Sequence, residues 1–298
     1  MTPRRSAKRT RRCSSSGSVR ASSRSGTRGV SRLLETYHRD VTRRAVTYAS
    51  YLKVPELLSL QVERSDGPDG PEHDELLFIV VHQVYELWFK SLRHELRGVQ
   101  AALEDGDTDR ALHLLNRVLK ILKTLVAQVD VLETMTPMQF LSFRDRLDSA
   151  SGFQSAGFRA IEATLGVRDR AAVEAQPEDS AARRAIEEAQ ASTSVWESFL
   201  GYLVERGHAV PADAEVPDAR VQEVLVAAYR EDEDAALVAE RLVDLDEGIP
   251  EWRYRHVKMV ERTIGTKRGT GGSSGVEYLR GTLFRPAFPD LWEIRSRL

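Results

Sequence analysis

Leucine, valine and isoleucine recur at every third or fourth position along most of the chain, which is the spacing of one face of an α-helix. Residues 107–134 show it most clearly, with Leu115, Val118, Leu119, Leu122, Leu125, Val129 and Leu132 on one side of a long predicted helix. Shorter amphipathic helices are predicted over 180–190, 193–206, 220–229 and 231–245. No strand-like alternation of convincing length appears. The pattern therefore predicts an all-α, multi-helix bundle-like fold.

A second long helix is predicted from Asp74, a plausible N-cap, to the Asp105-Gly106 pair. Its first four turns are apolar on nearly every side, which predicts a helix buried from all directions. Phe78, His82 and Glu86 share one face at positions i, i+4 and i+8. A buried polar group is costly unless it has a partner. His82 should therefore either bond within the core or line a pocket, and the sequence leaves both open.

A further helix should start at the capping box Thr136–Gln139, which has proline at the first helical position. Phe140, Phe143 and Arg144 follow, before the run 149–152 breaks the pattern. The planar guanidinium of Arg144 could bind a carboxylate through two parallel hydrogen bonds. An ordinary surface ion pair is the more common role of such an arginine, so its function stays open from these residues alone.

Four glycines lie within residues 269–275 and exclude a regular helix or strand there. They predict a loop that wraps a ligand, although the order Gly-Lys-Ser/Thr of a phosphate-binding loop is missing. The preceding segment predicts a helix that ends at Gly265, since its apolar residues recur at helical spacing: Trp252, Val257, Val260 and Ile264. His256 lies on that helix, about two turns from its end. By itself it could be a structural residue or a ligand of a metal or haem.

Composition narrows the class of protein. The chain has 298 residues, of which 41% are hydrophobic and 30% charged, as expected of a globular protein with a real core. Its only cysteine, Cys13, excludes a disulfide framework and a cysteine-based metal site. No apolar run approaches the roughly 18 residues of a membrane span, and no signal peptide is recognisable. We therefore expect a cytoplasmic protein without membrane partners.

The net charge of −2 conceals an asymmetry. Residues 1–32 carry ten Lys and Arg and no acidic residue, which leaves 33 basic and 45 acidic residues in 33–298. The acidic body argues against nucleic-acid binding. Residues 1–32 have almost nothing to bury and are predicted to be a disordered tail whose removal should leave fold and activity intact. Residues 33–298 are predicted to form a single all-α domain.

Three blocks of sequence, taken together, resemble the tryptophan 2,3-dioxygenase family. They are Leu77–Lys90, Phe143-Arg144 with Ser151–Ser155, and Trp252–His256 with the glycine-rich loop 269–275. The blocks follow the family order, and the resemblance spans about residues 48–298. It implies an all-α homotetramer of intertwined helical subunits that carries haem b. It also implies insertion of O₂ across the indole C2–C3 bond of L-tryptophan to give N-formyl-L-kynurenine, the first step of the kynurenine pathway.

Carried over residue by residue, the resemblance implies that His256 is the axial ligand of the haem iron and that Ser151 and Gly152 also bind the cofactor. His82 would be the catalytic-site histidine near the indole N–H, acting either as a base or only as an orienting acceptor. The substrate-binding residues that it implies are Phe78, Ile79, Val80, Val81, His82, Phe140, Arg144 and Thr270, with Tyr48, Tyr51 and Leu52 reaching the pocket of a neighbouring subunit.

Phe140 and Phe158 stand where some relatives have tyrosine, which leaves the affinity for substrate open. A related haem enzyme of secondary metabolism, acting on a modified aromatic amino acid, is an alternative. Such relatives tend to alter the substrate clamp, whereas Phe78, His82, Arg144 and Thr270 are all present in this chain. A non-catalytic helical scaffold or haem sensor is a further alternative, and it would have no use for a buried histidine and an arginine clamp.

Overall fold

The structure is a computed structural model, and it describes residues 45–68, 70–148, 150, 152–270 and 275–298. The predicted tail 1–32, the predicted haem contact Ser151 and residues 271–274 of the glycine-rich loop lie outside the described residues. The chain divides after Ser59 into two units.

The first unit contains two short helices, α1 (Tyr48–Leu52) and α2 (Val54–Leu57). Thr47 caps α1, since its hydroxyl accepts the backbone N–H of Ser50 while the Ser50 side chain accepts the N–H of Thr47. Lys53 adopts a left-handed conformation between the helices. Neither helix has a buried side chain, so the capping contacts are what hold α1 in the described part of this unit.

The second unit is helical. Its helices are α3 (His73–Glu104), α4 (Thr108–Leu132), α5 (Pro137–Arg144), α6 (Ala156–Leu165), α7 (Arg170–Glu174), α8 (Ala181–Ala191), α9 (Val195–Glu205), α10 (Ala219–Glu231), α11 (Glu233–Ile264), α12 (Val276–Thr282) and α13 (Pro289–Glu293), with 3₁₀ turns at Gly152–Gln154 and Ile294–Arg297. In the part of the chain that the structure describes, β-type pairing is limited to one bridge between Gly67 and Gly70. The predicted all-α class is confirmed. Every helix in these ranges is too short or too polar to span a bilayer.

Three long helices, α3, α4 and α11, form the frame of this unit. The apolar face predicted for α4 is buried, and Leu115, Val118 and Leu125 are at most 1% exposed. Its partners come from α3 and α11, where Val99 and Leu242 are fully buried. The apolar face packs in the core because burial of each large apolar side chain stabilises the fold by about 1.5–3 kcal/mol.

Helix α3 differs from its prediction at both its start and its surface. It begins at His73, with Glu72 at the N-cap position, so Asp74 lies within the first turn. The expectation that its first turns are buried on all sides is wrong within the chain, because Leu76, Val80 and Leu87 are 39–50% exposed. One side of α3 faces the core, and apolar composition alone did not show which.

Helix α11 is continuous where two helices were predicted, one over 231–245 and one ending at Ile264. It passes through Pro250, which lacks the N–H for one backbone hydrogen bond. Tertiary contacts hold this stretch. A side chain at Gly248 would place its Cβ 2.5 Å from Cδ2 of Leu122, so glycine permits close approach to α4. The buried Asp246 carboxylate accepts hydrogen bonds from the N–H groups of Ala287 and Phe288.

Candidate active site

A cavity lies between α3, α5, α11 and α12 of the second unit. The space between atoms is about 960 Å³, part of it open to solvent, in the lobe that contains Arg144, Thr263, Thr270 and Tyr278 (the Arg144 lobe). An overlapping lobe of about 1190 Å³ contains Glu86, Ser155, Phe158 and Trp252 (the Trp252 lobe). Both lobes share Phe78, His82, Leu132, Ala150, Gly152, His256 and Met259. They are therefore adjoining parts of one cavity, with the two histidines at their junction.

His82 is held by its own helix. Its Nδ1 lies 2.7 Å from the carbonyl oxygen of Phe78, one turn earlier. A carbonyl can only accept, so Nδ1 carries the proton and Nε2 remains an acceptor. Burial lowers the pKa of His82, and the hydrogen bond to Phe78 opposes this only in part. Both alternatives left open for His82 therefore hold, since it has a backbone partner and also lines the cavity as a neutral imidazole.

His256 presents an uncommitted imidazole. Among the described residues no group forms a hydrogen bond to its ring, although the ring stacks on Trp252 with the two planes 1° apart. Burial, followed by the charges of His82 and Arg159, lowers the pKa of His256 to about 4. The ring is neutral at pH 7, which is the state in which an imidazole nitrogen binds a metal.

A buried ion cluster holds α11 just before this histidine. Arg253 Nη2 donates to Glu162 Oε1 at 2.7 Å, and its Nη1 donates to the carbonyl oxygens of Thr282 and Arg285 at 3.0 and 2.8 Å. Arg159 Nη1 donates to the other carboxylate oxygen of Glu162 at 2.7 Å. Arg253 and Glu162 are each 7% exposed. The cluster joins α6, α11 and the end of α12, and nothing in the sequence pattern indicated it.

Arg144 is the last residue of α5, which starts at the predicted capping box of Thr136 and Gln139. Its Nη2 donates to the carbonyl oxygen of Arg268 at 2.7 Å. Its Nε is buried and has no acceptor among the described residues, and no carboxylate there forms an ion pair with it. The alternative of a surface ion pair therefore loses its support. A guanidinium with an unused donor in a cavity wall is suited to an anionic ligand.

Thr270 of the glycine-rich loop lines the same lobe as Arg144, and its hydroxyl donates to the carbonyl of Ala150. Phe78 and Phe140 line the same lobe with ring centroids 5.7 Å apart, and each packs against the buried Phe143. The lobe thus combines an aromatic wall with a cation and a hydroxyl. These are the groups that an aromatic amino acid would need.

Three other predicted substrate contacts, all on α3, do not line this cavity. Val81 is buried in a cluster with Leu132, Met135 and Phe143, and Val80 is exposed. Neither these two nor Ile79 line either lobe. Tyr48, Tyr51 and Leu52 are exposed on α1 of the first unit. Their contacts with substrate stay predictions. Gly152 lines both lobes, and its contact with the cofactor stays a prediction.

The start of α6 also belongs to the cavity wall. Ser155 Oγ donates to Glu86 Oε1 at 2.5 Å and accepts the backbone N–H of Phe158 at 3.2 Å. A Cβ at Gly157 would lie 2.5 Å from Glu86 Oε2 and 3.2 Å from Cβ of Phe89, so glycine lets α6 approach α3 without a shift of the Glu86 side chain. The role of Ser155 and Gly157 was not foreseen. The signals in the sequence were that Ser155 ends one of the family-like blocks and that Glu86 shares the helical face of His82.

The donor set suits a haem group. Among the described residues no group of three or more His, Cys, Asp or Glu could hold a metal ion. A metal at His256 must therefore bring most of its other ligands with it, as the porphyrin ring of haem does with four nitrogens. The Trp252 lobe adds a largely apolar wall of Phe89, Val129, Leu132, Phe158 and Trp252, which suits a flat apolar ring system.

Comparisons with known proteins agree with this geometry. A family model described as tryptophan 2,3-dioxygenase matches residues 33–181 and 170–298. The chain is 58% identical to a tryptophan 2,3-dioxygenase of Anaeromyxobacter sp. (strain K), covering 85% of this chain and 97% of the relative. It is 53% identical to one from Herpetosiphon aurantiacus, over 85% of this chain and 99% of the relative.

Proposed function

The chain belongs to the tryptophan 2,3-dioxygenase family, and from this premise we propose how its own residues carry out the reaction. The protein is a haem-dependent oxidoreductase that uses O₂. It opens the indole ring of L-tryptophan at the C2–C3 bond to give N-formyl-L-kynurenine, the first step of tryptophan catabolism. The observation that supports our assignment of roles is the single cavity in which an uncommitted His256, a neutral His82 and the unused donor of Arg144 occur together.

His256 would hold the haem iron, and haem b would supply the activation of O₂ when bound. The protein's contribution is to bind and orient the substrate and to exclude water. Gly152 would contact the cofactor, because it lines both lobes of the cavity. The aromatic side chains of the Trp252 lobe would cover the ring system.

His82 would orient the indole. Its Nδ1 proton is committed to the Phe78 carbonyl, so Nε2 can accept the hydrogen bond of the indole N–H. The lowered pKa keeps this nitrogen unprotonated near neutral pH. Phe78 and Phe140 would pack against the indole ring and keep water from it.

Arg144 would bind the carboxylate of the amino acid. A carboxylate oxygen would take the place that the Arg268 carbonyl occupies on Nη2, and the other oxygen would reach the unused Nε. Thr270 would turn its hydroxyl from the Ala150 carbonyl to the ammonium and carboxylate end of the substrate. The exchange replaces neutral acceptors with a charged one, which forms stronger hydrogen bonds.

We also propose that the protein is a cytoplasmic homotetramer. Leu76, Val80 and Leu87 expose apolar surface along α3, and a helix with this composition is better stabilised when a neighbouring subunit covers it. Light scattering coupled to size-exclusion chromatography measures the mass directly. A monomer at micromolar concentration would contradict the assembly.

The direct test of the reaction uses haem-loaded protein, L-tryptophan and ¹⁸O₂. We expect N-formylkynurenine that contains two ¹⁸O atoms, identified by its absorbance and mass. A product with one labelled atom, or turnover only of a modified aromatic amino acid, would contradict the proposed reaction and favour the related haem oxygenase.

A further inference from the structure

Trp252 and His256 form a parallel aromatic pair on α11. They are one helical turn apart, their ring centroids are 5.4 Å apart and their planes differ by 1°. An offset parallel arrangement at such a distance is one of the favoured geometries of aromatic rings. The His256 ring has no hydrogen bond among the described residues, so none is available there to fix its rotation about the Cβ–Cγ bond. The face of Trp252 is the contact that can do so.

Trp252 is itself fixed by rings from two other helices. Its centroid lies 4.7 Å from Phe158 of α6 and 6.2 Å from both Tyr85 and Phe89 of α3, and the Phe89 ring is nearly perpendicular to it. Tyr85 is anchored in turn, because its hydroxyl donates to the carbonyl oxygen of Leu125 on α4 at 2.9 Å. The indole plane therefore cannot rotate without moving side chains on α3 and α6.

We propose that Trp252 is a positioning residue that fixes the plane of the His256 imidazole, and that Phe158, Tyr85 and Phe89 form the support that holds Trp252. The inference rests on the proposed role of His256 as axial haem ligand. The orientation of an axial imidazole plane affects the electronic structure of the iron, because the imidazole π orbitals overlap unequally with the two iron d orbitals of matching symmetry. Trp252 would act on the iron through this orientation of the His256 ring, in addition to its place in the cavity wall.

The test is proton NMR of the ferric, cyanide-bound holoprotein. In this state the order and spread of the four haem-methyl resonances report the orientation of the axial imidazole. The parent protein should give one dominant set of resonances. Trp252→Leu, which removes the flat ring, should change their order or spread or add a second set. The haem-methyl resonances of Trp252→Phe should differ less from those of the parent, because phenylalanine keeps a flat ring. Phe158→Leu should shift the haem-methyl resonances in the same direction as Trp252→Leu, because it removes one of the rings that hold Trp252.

Trp196→Leu is the matched control. Trp196 is 3% exposed and packs against Phe288, 5.7 Å away, in another part of the same core. Its replacement should lower the melting temperature without altering the haem-methyl pattern. A parent-like pattern in Trp252→Leu, or in both Trp252→Phe and Phe158→Leu if Trp252→Leu does not fold, would overturn the positioning role and leave His256 as ligand. Persistence of the parent pattern in His256→Ala would instead show that the proposed ligand is wrong.

Discussion

The cavity has two sides that are built differently, one carrying His256 and the other carrying Arg144. On the side of His256, one continuous helix carries the residue, and the buried cluster of Arg253 and Glu162 fastens that helix to its neighbours. On the side of Arg144, the side chain extends from a helix end and contacts a carbonyl of the loop after α11. The first side is fixed by buried charge and ring packing, and the second by hydrogen bonds to the backbone.

This difference suits the two ligands. A cofactor that stays bound is best held by a wall that does not rearrange, and breaking a buried ion cluster costs about 3–5 kcal/mol. A substrate must enter and leave, and a neutral hydrogen bond contributes only about 0.5–1.5 kcal/mol net. The carbonyl contacts of Arg144 and Thr270 can therefore be exchanged for a substrate carboxylate, whereas the contacts behind His256 should persist.

The largest effect should come from removing the ligand itself. We expect His256→Ala to purify without haem, because no other described histidine than His82 lines the cavity, and His82 has Nδ1 committed to Phe78. The Soret band relative to protein absorbance measures the occupancy. His94→Ala, an exposed position on α3, should keep full occupancy. A normal Soret band in His256→Ala would contradict the assignment.

The second prediction concerns the cluster behind His256. Glu162→Gln leaves Arg159 and Arg253 without their shared carboxylate, so the free energy of unfolding should fall by about 3–5 kcal/mol. Urea unfolding followed by circular dichroism measures this change. Glu174→Gln removes an exposed i,i+4 pair with Arg170 and should cost less than about 1 kcal/mol. Equal effects of the two variants would show that the buried cluster holds the His256 side no more firmly than an exposed ion pair would.

The third prediction tests the Arg144 side of the cavity, where a substrate carboxylate would replace the carbonyl contacts. Arg144→Lys keeps the charge but loses the planar fork, and a hydrogen bond to a charged group contributes about 1.5–3 kcal/mol. We expect kcat/KM for L-tryptophan to fall about 10- to 100-fold, with haem occupancy unchanged.

Tryptamine lacks the carboxylate and should be a poor substrate of both the parent and Arg144→Lys. Arg146→Lys, two residues along and exposed, is the matched control and should behave as the parent. Parent-like kcat/KM in Arg144→Lys would remove Arg144 from the substrate site.

The smallest effect is acid sensitivity of the haem-free protein. The pKa of His256 is lowered to about 4, against about 6.5 in an unfolded chain. Below pH 6.5 the unfolded state takes up the proton first, so stability falls as the pH drops towards 4. Between pH 7 and 6 this amounts to less than about 1 kcal/mol. Urea unfolding at both pH values should show a smaller loss in haem-free His256→Ala. Identical losses would show that His256 is not buried as a neutral ring.

Local signals predicted the individual helices well. The capping box at Thr136 starts α5, and Gly265 ends α11 with a positive φ. The apolar stripe of residues 107–134 is the buried face of α4. Each of these features depends on residues within a few positions of one another, so the local sequence is enough to predict it.

Predictions failed where contacts between residues far apart in the sequence determine the structure. The two separate helices expected over 231–245 and before Gly265 are one helix, because Gly248 and Asp246 hold α11 against elements 41 or more residues away. The complete burial expected for α3 does not occur within the chain, because apolar composition does not specify which neighbour covers which side. The cluster of Glu162 and Arg253 joins residues 91 positions apart, which no periodicity indicates.

The sequence by itself determined the helical class, most helix ends and, through the resemblance of its motifs, the family. From the residues alone it left three alternatives open: whether His82 is a core residue or lines a pocket, whether His256 is structural or a ligand, and whether Arg144 forms a surface ion pair or binds a carboxylate. The tertiary structure decided that His82 and His256 share one cavity and that Arg144 meets Arg268, 124 residues later. The physical reason is that helix formation depends on neighbouring residues, whereas a site depends on which helix faces pack together.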